Sequence, residues 1–403
     1  MPAYARSQIV VEDKVGVYHC IARCVRQAFL CGADAVTGRD YSHRKVWIVD
    51  RLRELAGLFA IEVCNYAVLS THLHIVLRNR PDLARSWSDD EIALRWCRLF
   101  PHGDQATGTP REPDEHDIAM LKASPQRLAE LRTRLASLSW FMRCLCEKIA
   151  RAANREDGAS GRFWSGRFKS VALVDEAAAL ACSVYVDLNP IRAGLAATPE
   201  ESPHTSGYDR IQSLLEEGRD PSASSEQSGS PETSGRPDAW LCELTLDERA
   251  GSHPSNSAEG ALGGAPASAS NGEPARADVT AAIRACEPAG AAAPNAESAP
   301  RGKIARPLPP RASDQGFLPI EVEHYIVLLD WTGRELRADK RGAIPDHLAP
   351  ILDRLGLNRA NWIDTVRGFG RMFRQAAGRA SSLADAAARR SRRWFQAARA
   401  AFV

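Results

Sequence analysis

Between Val15 and Pro190 apolar residues recur with two different periods, and the two alternate along the chain. Val15–Ile21 reads as a strand. Arg44–Phe59 carries Val46, Ile48, Val49, Leu52, Leu55 and Leu58, mostly three or four apart, the spacing of one helix face. Ile61–Leu69, a Ser70-Thr71 turn and His72–Leu77 read as a β-hairpin. Ser124-Pro125 opens a helix with a capping hydroxyl and a proline in the first turn. Leu128, Leu131, Leu135, Leu138, Met142, Leu145 and Ile149 continue it at spacings of three and four. Phe168–Val174 is a further strand. The helix that begins at Asp175 must stop at Pro190, which lacks the amide hydrogen to continue. The order β-α-β-β-α-β, then α, predicts an α+β chain: a ferredoxin-like (split β-α-β) domain with an appended helix that bears Tyr185.

The pattern is interrupted once and then ends. Residues 79–123 are polar and contain several prolines, which predicts an insertion with one short helix over Asp89–Leu99. From 216 to 315 the chain is rich in Ser, Ala, Gly, Pro and Glu, a composition that buries too little apolar surface to offset its conformational entropy. A flexible linker is expected there, with Ala239–Leu244 as a patch suited to dock on a folded neighbour. After Phe317 the residues turn helical again, with amphipathic candidates at 345–355, 362–373 and 383–401. Three parts follow: a folded domain over 1–215, a linker over 216–315 and a small all-α, basic C-terminal module over 316–403.

Composition narrows the class. With 44% hydrophobic and 25% charged residues the chain is ordinary globular protein, which excludes fibrous and wholly disordered classes. No stretch approaches the roughly 18 apolar residues of a membrane helix, and no apolar run follows the N-terminus. Ten scattered cysteines suggest reduced thiols, and a cytoplasmic location with no membrane partner is expected. Cys144 and Cys146 are too closely spaced for the usual zinc-ligand pair, and no zinc is assigned. The net charge is only +2, yet from Val366 onward nine arginines accompany one acid, Asp385. Such a tail suits a polyanion, or equally the solvated face of a helix.

Three motifs carry chemistry. In His72-Leu73-His74, strand alternation puts both imidazoles on one face, where they can share a divalent cation; alone, such a pair is more often solvent-facing or capping. Tyr185 and Asn189 lie four residues apart, on one helix face. A tyrosine hydroxyl can attack a phosphodiester and keep the bond energy in a phosphotyrosine, although amphipathic core tyrosines are common. In the stretch from Arg162 to Lys169 the aromatics Phe163, Trp164 and Phe168 alternate with Arg162, Arg167 and Lys169. Rings that stack on unpaired bases and cations that meet phosphates give this pattern, as does a basic strand edge with buried aromatics.

Taken in order, these motifs resemble the single-tyrosine HUH transposases, in particular their REP-associated branch: a strand with His-hydrophobic-His, a long helix, an aromatic-basic stretch, then Tyr185 through Asn189-Pro190-Ile191-Arg192-Ala193-Gly194. The strand near Tyr18-His19 and the Thr205-Ser206 region fit the same pattern, and the resemblance spans about residues 10–215. It implies a ferredoxin-like catalytic domain that cleaves single-stranded or hairpin DNA through a 5′-phosphotyrosine. Tyr185 would be the nucleophile, and His72 and His74 would ligate Mg²⁺ or Mn²⁺, with Asn189 in the place of a polar third ligand. Arg162, Phe163, Trp164, Arg167, Phe168, Lys169 and Arg192 would contact the nucleic acid. Thr71 stands where the family often carries Asn or an acid. Relatives include monomers and homodimers. Two other readings compete: a domesticated protein that binds hairpin DNA or RNA without cutting, and a metal-dependent phosphohydrolase that does not use Tyr185.

Overall fold

The computed structural model describes residues 9–25, 30–34, 38–103, 109–217, 235–245, 307–336 and 359–390. Its sheet is built from β1 (Gly16–Arg23), β2 (Ile61–Val68), β3 (His72–Asn79) and β4 (Lys169–Leu173), in the order β2-β3-β1-β4 with every neighbouring pair antiparallel. A two-residue β5 (Ala376–Ala377) joins the free edge of β4 in parallel. Helix α1 (Arg44–Leu58) links β1 to β2, and β3 lies between those two strands, so the β-α-β unit is split. The chain is α+β.

Strand alternation divides the interior in two. On β3, Leu73, Ile75 and Leu77 point into one core, where they meet α1 and a long helix from the β3–β4 connection. His72, His74 and Val76 point the other way. There Val76 joins Val171 and Leu173 of β4 beneath α7 (defined below) and the C-terminal helices.

The connection between β3 and β4 holds α2 (Pro81–Ser86), α3 (Asp89–Leu99), α4 (Glu115–Lys122), α5 (Pro125–Leu135) and α6 (Leu138–Glu156). Helix α3 has the bounds the sequence suggests, capped by Ser88 Oγ, which accepts from the Glu91 amide at 3.2 Å. The leucine repeat predicted as one helix from Ser124 is two. At the break the Leu135 carbonyl leaves the helical ladder and accepts from Ala60 N at 2.9 Å. The apolar spacing runs through this break because both helices face the same core.

After β4 come α7 (Glu176–Asp187), α8 (Asn189–Arg192) and α9 (Ser206–Glu217). Asp175 caps α7 through an Oδ1 that accepts from Ala178 N at 2.8 Å, and the helix ends before Pro190, as the sequence requires. Further on lie α10 (Val322–Leu336), α11 (Arg359–Met372) and α12 (Ala380–Ala388). The candidate helix at 345–355 lies outside the described residues, as does most of the 216–315 segment.

The helices after 316, read from their charge as a separate module, pack on the same sheet: Met1–Asp247 and Lys303–Val403 form one compact unit. The reason is apolar. Trp331, Trp362, Val366 and Phe369 are buried beside α7 over the sheet face that carries Val76. Helix α10, which the periodicity did not single out, contributes Tyr325, Leu328 and Leu329 to this layer.

Two parts of the linker candidate are docked as well. Trp240, Leu241 and Cys242 are buried, and Cys242 N donates to the Val63 carbonyl on the outer edge of β2 at 2.8 Å. Residues 313–316 are held by Glu62, Arg78 and Arg80. Arg78 is ion-paired with Glu62 and donates to the carbonyl of Gly316 at 2.7 Å, while Arg80 reaches the second Glu62 oxygen at 3.2 Å and Ser313 also bonds it. The exposed backbone of an edge strand is thereby covered.

Glu62→Ala would leave two buried guanidiniums without their shared partner, and should cost about 3–5 kcal/mol in urea unfolding. A loss below about 1 kcal/mol would mean the clamp does not hold this edge together.

Candidate active site

The site lies on the α7 side of the sheet. His72 and His74 share a face of β3, and their ring centroids are 4.9 Å apart. His19 on the neighbouring β1 reaches the same place. Its Nε2 is 2.8 Å from His74 Nδ1, with the two rings nearly parallel at an interplanar angle of 16°. Tyr185 comes down from α7, its ring 5.6 Å from that of His74 and 5.8 Å from that of His19. Two histidines and a tyrosine far apart in sequence thus meet at one point, with a third histidine beside them.

Burial sets the protonation of these groups. His19 is held neutral, its pKa pushed down to about 3 by loss of solvent. Burial also lowers His72, and it lowers His74 strongly, aided by the positive charges that His19, His72, Arg192 and Arg23 would present. The Tyr185 phenol is raised by burial, an effect opposed by the charge of Arg192 and by bonding to Arg192 and Asn189. The Arg192 guanidinium lies over the Tyr185 ring, 4.7 Å from its centroid.

Each β3 imidazole has its Nδ1 engaged: His72 with Thr71 Oγ1 at 3.0 Å, and His74 with His19. Thr71 therefore supports His72. Nε2 of both rings remains as a donor atom. Neutral imidazoles anchored through the second nitrogen are suited to a divalent cation. Among the described residues no three His, Cys, Asp or Glu side chains are grouped to hold an ion. Two imidazoles alone would leave most positions of a divalent cation to other ligands. Asn189 turns back on its own chain, with Nδ2 donating to the Tyr185 carbonyl at 2.8 Å. Its visible work is to join α7 to α8.

Beneath Tyr185 a buried network fixes α7. Asp187 Oδ2 accepts from Tyr325 Oη at 2.6 Å and from Asn65 Nδ2 at 3.0 Å, while Ser206 Oγ donates to Oδ1. Asn65 faces Asp187 because β2 carries a bulge between Val63 and Asn65, which shifts the alternation so that both Cys64 and Asn65 lie on the α7 side. Burial raises the Asp187 carboxyl, countered by Arg210 and the hydroxyls.

The site is roofed by α11. Phe369 lies 5.4 Å from the Tyr185 ring and 6.1 Å from that of His19, and Arg192 donates to the Arg367 carbonyl at 2.8 Å. A Cβ on Gly370 would collide with Tyr185 Oη. Tyr185 is 7% exposed in consequence.

The aromatic-basic stretch divides. Arg162, Arg167 and Lys169 are exposed. Phe163 is buried at 3% in the core, packed edge-to-face on Trp164 at 5.2 Å, so its ring does not form a base-stacking surface. Trp164 donates Nε1 to the Cys146 carbonyl at 2.8 Å, and Phe168 leans on the same core. These three aromatics pack inward and fix the segment that leads into β4, from which the cations project. His19, Asn65, Asp187, Phe369 and Gly370 were not singled out as site residues in the sequence. His19 had a signal, since it alternates with Tyr18 on a strand, but only the β1–β3 register brings it to His74.

No family model matches the chain, and no curated protein matches it. Among solved structures it is similar to a REP-associated tyrosine transposase bound to a REP hairpin, with a TM-score of 0.31 and 11% identity over 52% of this chain and 86% of that one. No helix among the described residues is long and apolar enough to cross a membrane.

Because His19 binds a proton near pH 6.5 only when unfolded, its contribution to stability should fall as pH drops from 6.5 toward 3, by about 1.4 kcal/mol per pH unit, and be constant above pH 7. His19→Phe should remove one group's share of that slope in urea titrations. An identical slope would show that His19 is not held neutral.

Proposed function

We propose that the protein is a transposase-type DNA endonuclease and strand transferase that cleaves single-stranded or hairpin DNA with Tyr185 as nucleophile. The observation that supports this reading is the meeting of two neutral, anchored imidazoles of β3 with the phenol of α7. In the reaction the Tyr185 oxygen bonds to the scissile phosphorus, the bond to the 3′-oxygen breaks, and the products are a 5′-phosphotyrosine and a free 3′-OH. Rejoining is the reverse attack by a 3′-OH, which releases the tyrosine.

His72 and His74 would hold a Mg²⁺ or Mn²⁺ ion through their Nε2 atoms, with Asn189 adding an oxygen only if its amide turns from the Tyr185 carbonyl. When bound, such an ion polarises the phosphate and stabilises charge that develops on it. Arg192 favours the phenolate by lying over the ring. Arg162, Arg167 and Lys169 supply exposed cations for the phosphate backbone, a contact weakened by salt. The Asp187 network holds α7, and thereby the nucleophile, against the sheet.

A second reading rests on one observation. Tyr185 lies under α11, and a covered phenol cannot reach a phosphodiester, which favours a hairpin-binding protein that does not cut. The two readings differ in whether α11 can leave.

Incubation with Mn²⁺ and labelled single-stranded hairpins should give a denaturant-resistant protein–DNA adduct that is lost with EDTA. Tyr185→Phe should lose the adduct entirely and keep DNA binding. Full cleavage by that variant would instead favour hydrolysis without a covalent step. Gly370→Ala puts a Cβ against Tyr185 Oη, so the ring or the helix must shift, and the adduct yield should change several-fold. Binding without an adduct in the native protein would support the non-cutting reading.

A further inference from the structure

Strand register brings to the site a cation that the sequence motifs pass over. Arg23 ends β1 and stands directly opposite His72 of β3, while Ile21 stands opposite both His74 of β3 and Lys169 of β4. Partners across an antiparallel ladder project from one face of the sheet. Alternation along β1 agrees: Tyr18, Cys20 and Ala22 are buried in the leucine core, so His19, Ile21 and Arg23 point to the Tyr185 side. On that face Arg23 lies one step of two residues, about 7 Å, past the row of His74 and Lys169. The chain beyond Arg23 continues the ladder, with Ser165 N donating to the Arg23 carbonyl at 2.8 Å and Cys24 bridged to Trp164. Arg23 therefore sits between the imidazoles of β3 and the basic stretch that carries Arg162, Arg167 and Lys169.

Arg23 and Lys169 are exposed, and among the described residues neither forms an ion pair. By contrast Arg143 and Arg151, exposed on α6, both meet Glu147. Arg192 adds a third cation from α8, over the Tyr185 ring. Cations gathered on one face without carboxylate partners raise a positive potential that draws a polyanion. A guanidinium matches phosphate oxygens two at a time, and such contacts set where a strand lies rather than which bases it carries.

We infer that Arg23 binds the substrate strand, its guanidinium pairing with the phosphate next to the one that Tyr185 attacks. This deepens the reading of Tyr185 as nucleophile and rests on it. On that reading the attacked phosphate lies by Tyr185, over His74, and Arg23 faces the next one along.

The test uses the full chain in the Tyr185→Phe background, where no adduct forms, and a labelled DNA hairpin with single-stranded flanks. Equilibrium binding is read across a salt series. Adding Arg23→Gln should weaken binding several-fold and shrink the slope of log affinity against log salt by about 0.7, the value of one phosphate contact on a single strand. Arg23→Lys, which keeps the charge, should retain that slope, and Arg151→Gln should leave it unchanged. Replacing phosphates one at a time by neutral methylphosphonates should weaken binding at one linkage to which the Arg23→Gln protein is insensitive. That linkage should adjoin the one where the native protein forms its adduct in Mn²⁺. Equal affinity and slope with and without Arg23→Gln would overturn the role of Arg23 and leave the nucleophile reading standing. A sensitive linkage several nucleotides from the adduct would overturn its placement. If Arg23→Gln loses one phosphate contact but the native protein forms no adduct, the nucleophile reading falls instead, and the two failures are thereby told apart.

Discussion

The arrangement depends on β3 being a central strand covered on both faces. Its two neighbours take its backbone hydrogen bonds, so its side chains are free to serve two separate interiors. Leu73, Ile75 and Leu77 anchor one of them among α1 and α6. That anchoring is apolar and large, and it determines where His72 and His74 must point. A shift of one residue would put the imidazoles in the leucine core and the leucines against α7, so register and site geometry are secured by the same packing.

On the opposite face burial is of a different kind. Helix α7 is apolar almost all round and packs on the sheet, but it also brings Tyr185 over the imidazoles. Below it, a bulge in β2 turns Asn65 toward Asp187, and hydroxyls from Ser206 and Tyr325 complete the set. A buried carboxylate is costly unless its oxygens are bonded. Here its partners come from β2, α9 and α10, so satisfying that charge ties three elements to the helix that holds the tyrosine.

The C-terminal residues illustrate how charge can mislead about packing. Arginines after Val366 suit a polyanion or equally the solvated face of a helix, and Val366 and Phe369 on α11 are buried. On α11, Arg367 and Arg371 are exposed while the apolar side is buried, as on any amphipathic surface helix. The consequence is local to the site: the helix that completes the second core also closes over the phenol. The aromatic-basic stretch follows the same logic, with Phe163 and Trp164 inward and the cations outward.

The sequence alone determined the order of the four long strands and the places of α1 and α7 among them, because strand and helix periods are local properties of neighbouring residues. It also determined the common face of His72 and His74, one strand step of two apart, whereas Tyr185 and Asn189, expected on one helix, lie on α7 and α8. It did not show the break between α5 and α6, since apolar spacing continues wherever both helices face one core. The role of Asn189 was equally hidden, because its amide competes locally for the Tyr185 carbonyl. Only the tertiary structure decided that His19 meets His74, that Asp187 is bonded by Asn65, Ser206 and Tyr325, and that Phe369 and Gly370 lie on Tyr185. Those contacts join residues whose separation in the chain carries no period. They are set by strand register and by which apolar surface remained uncovered.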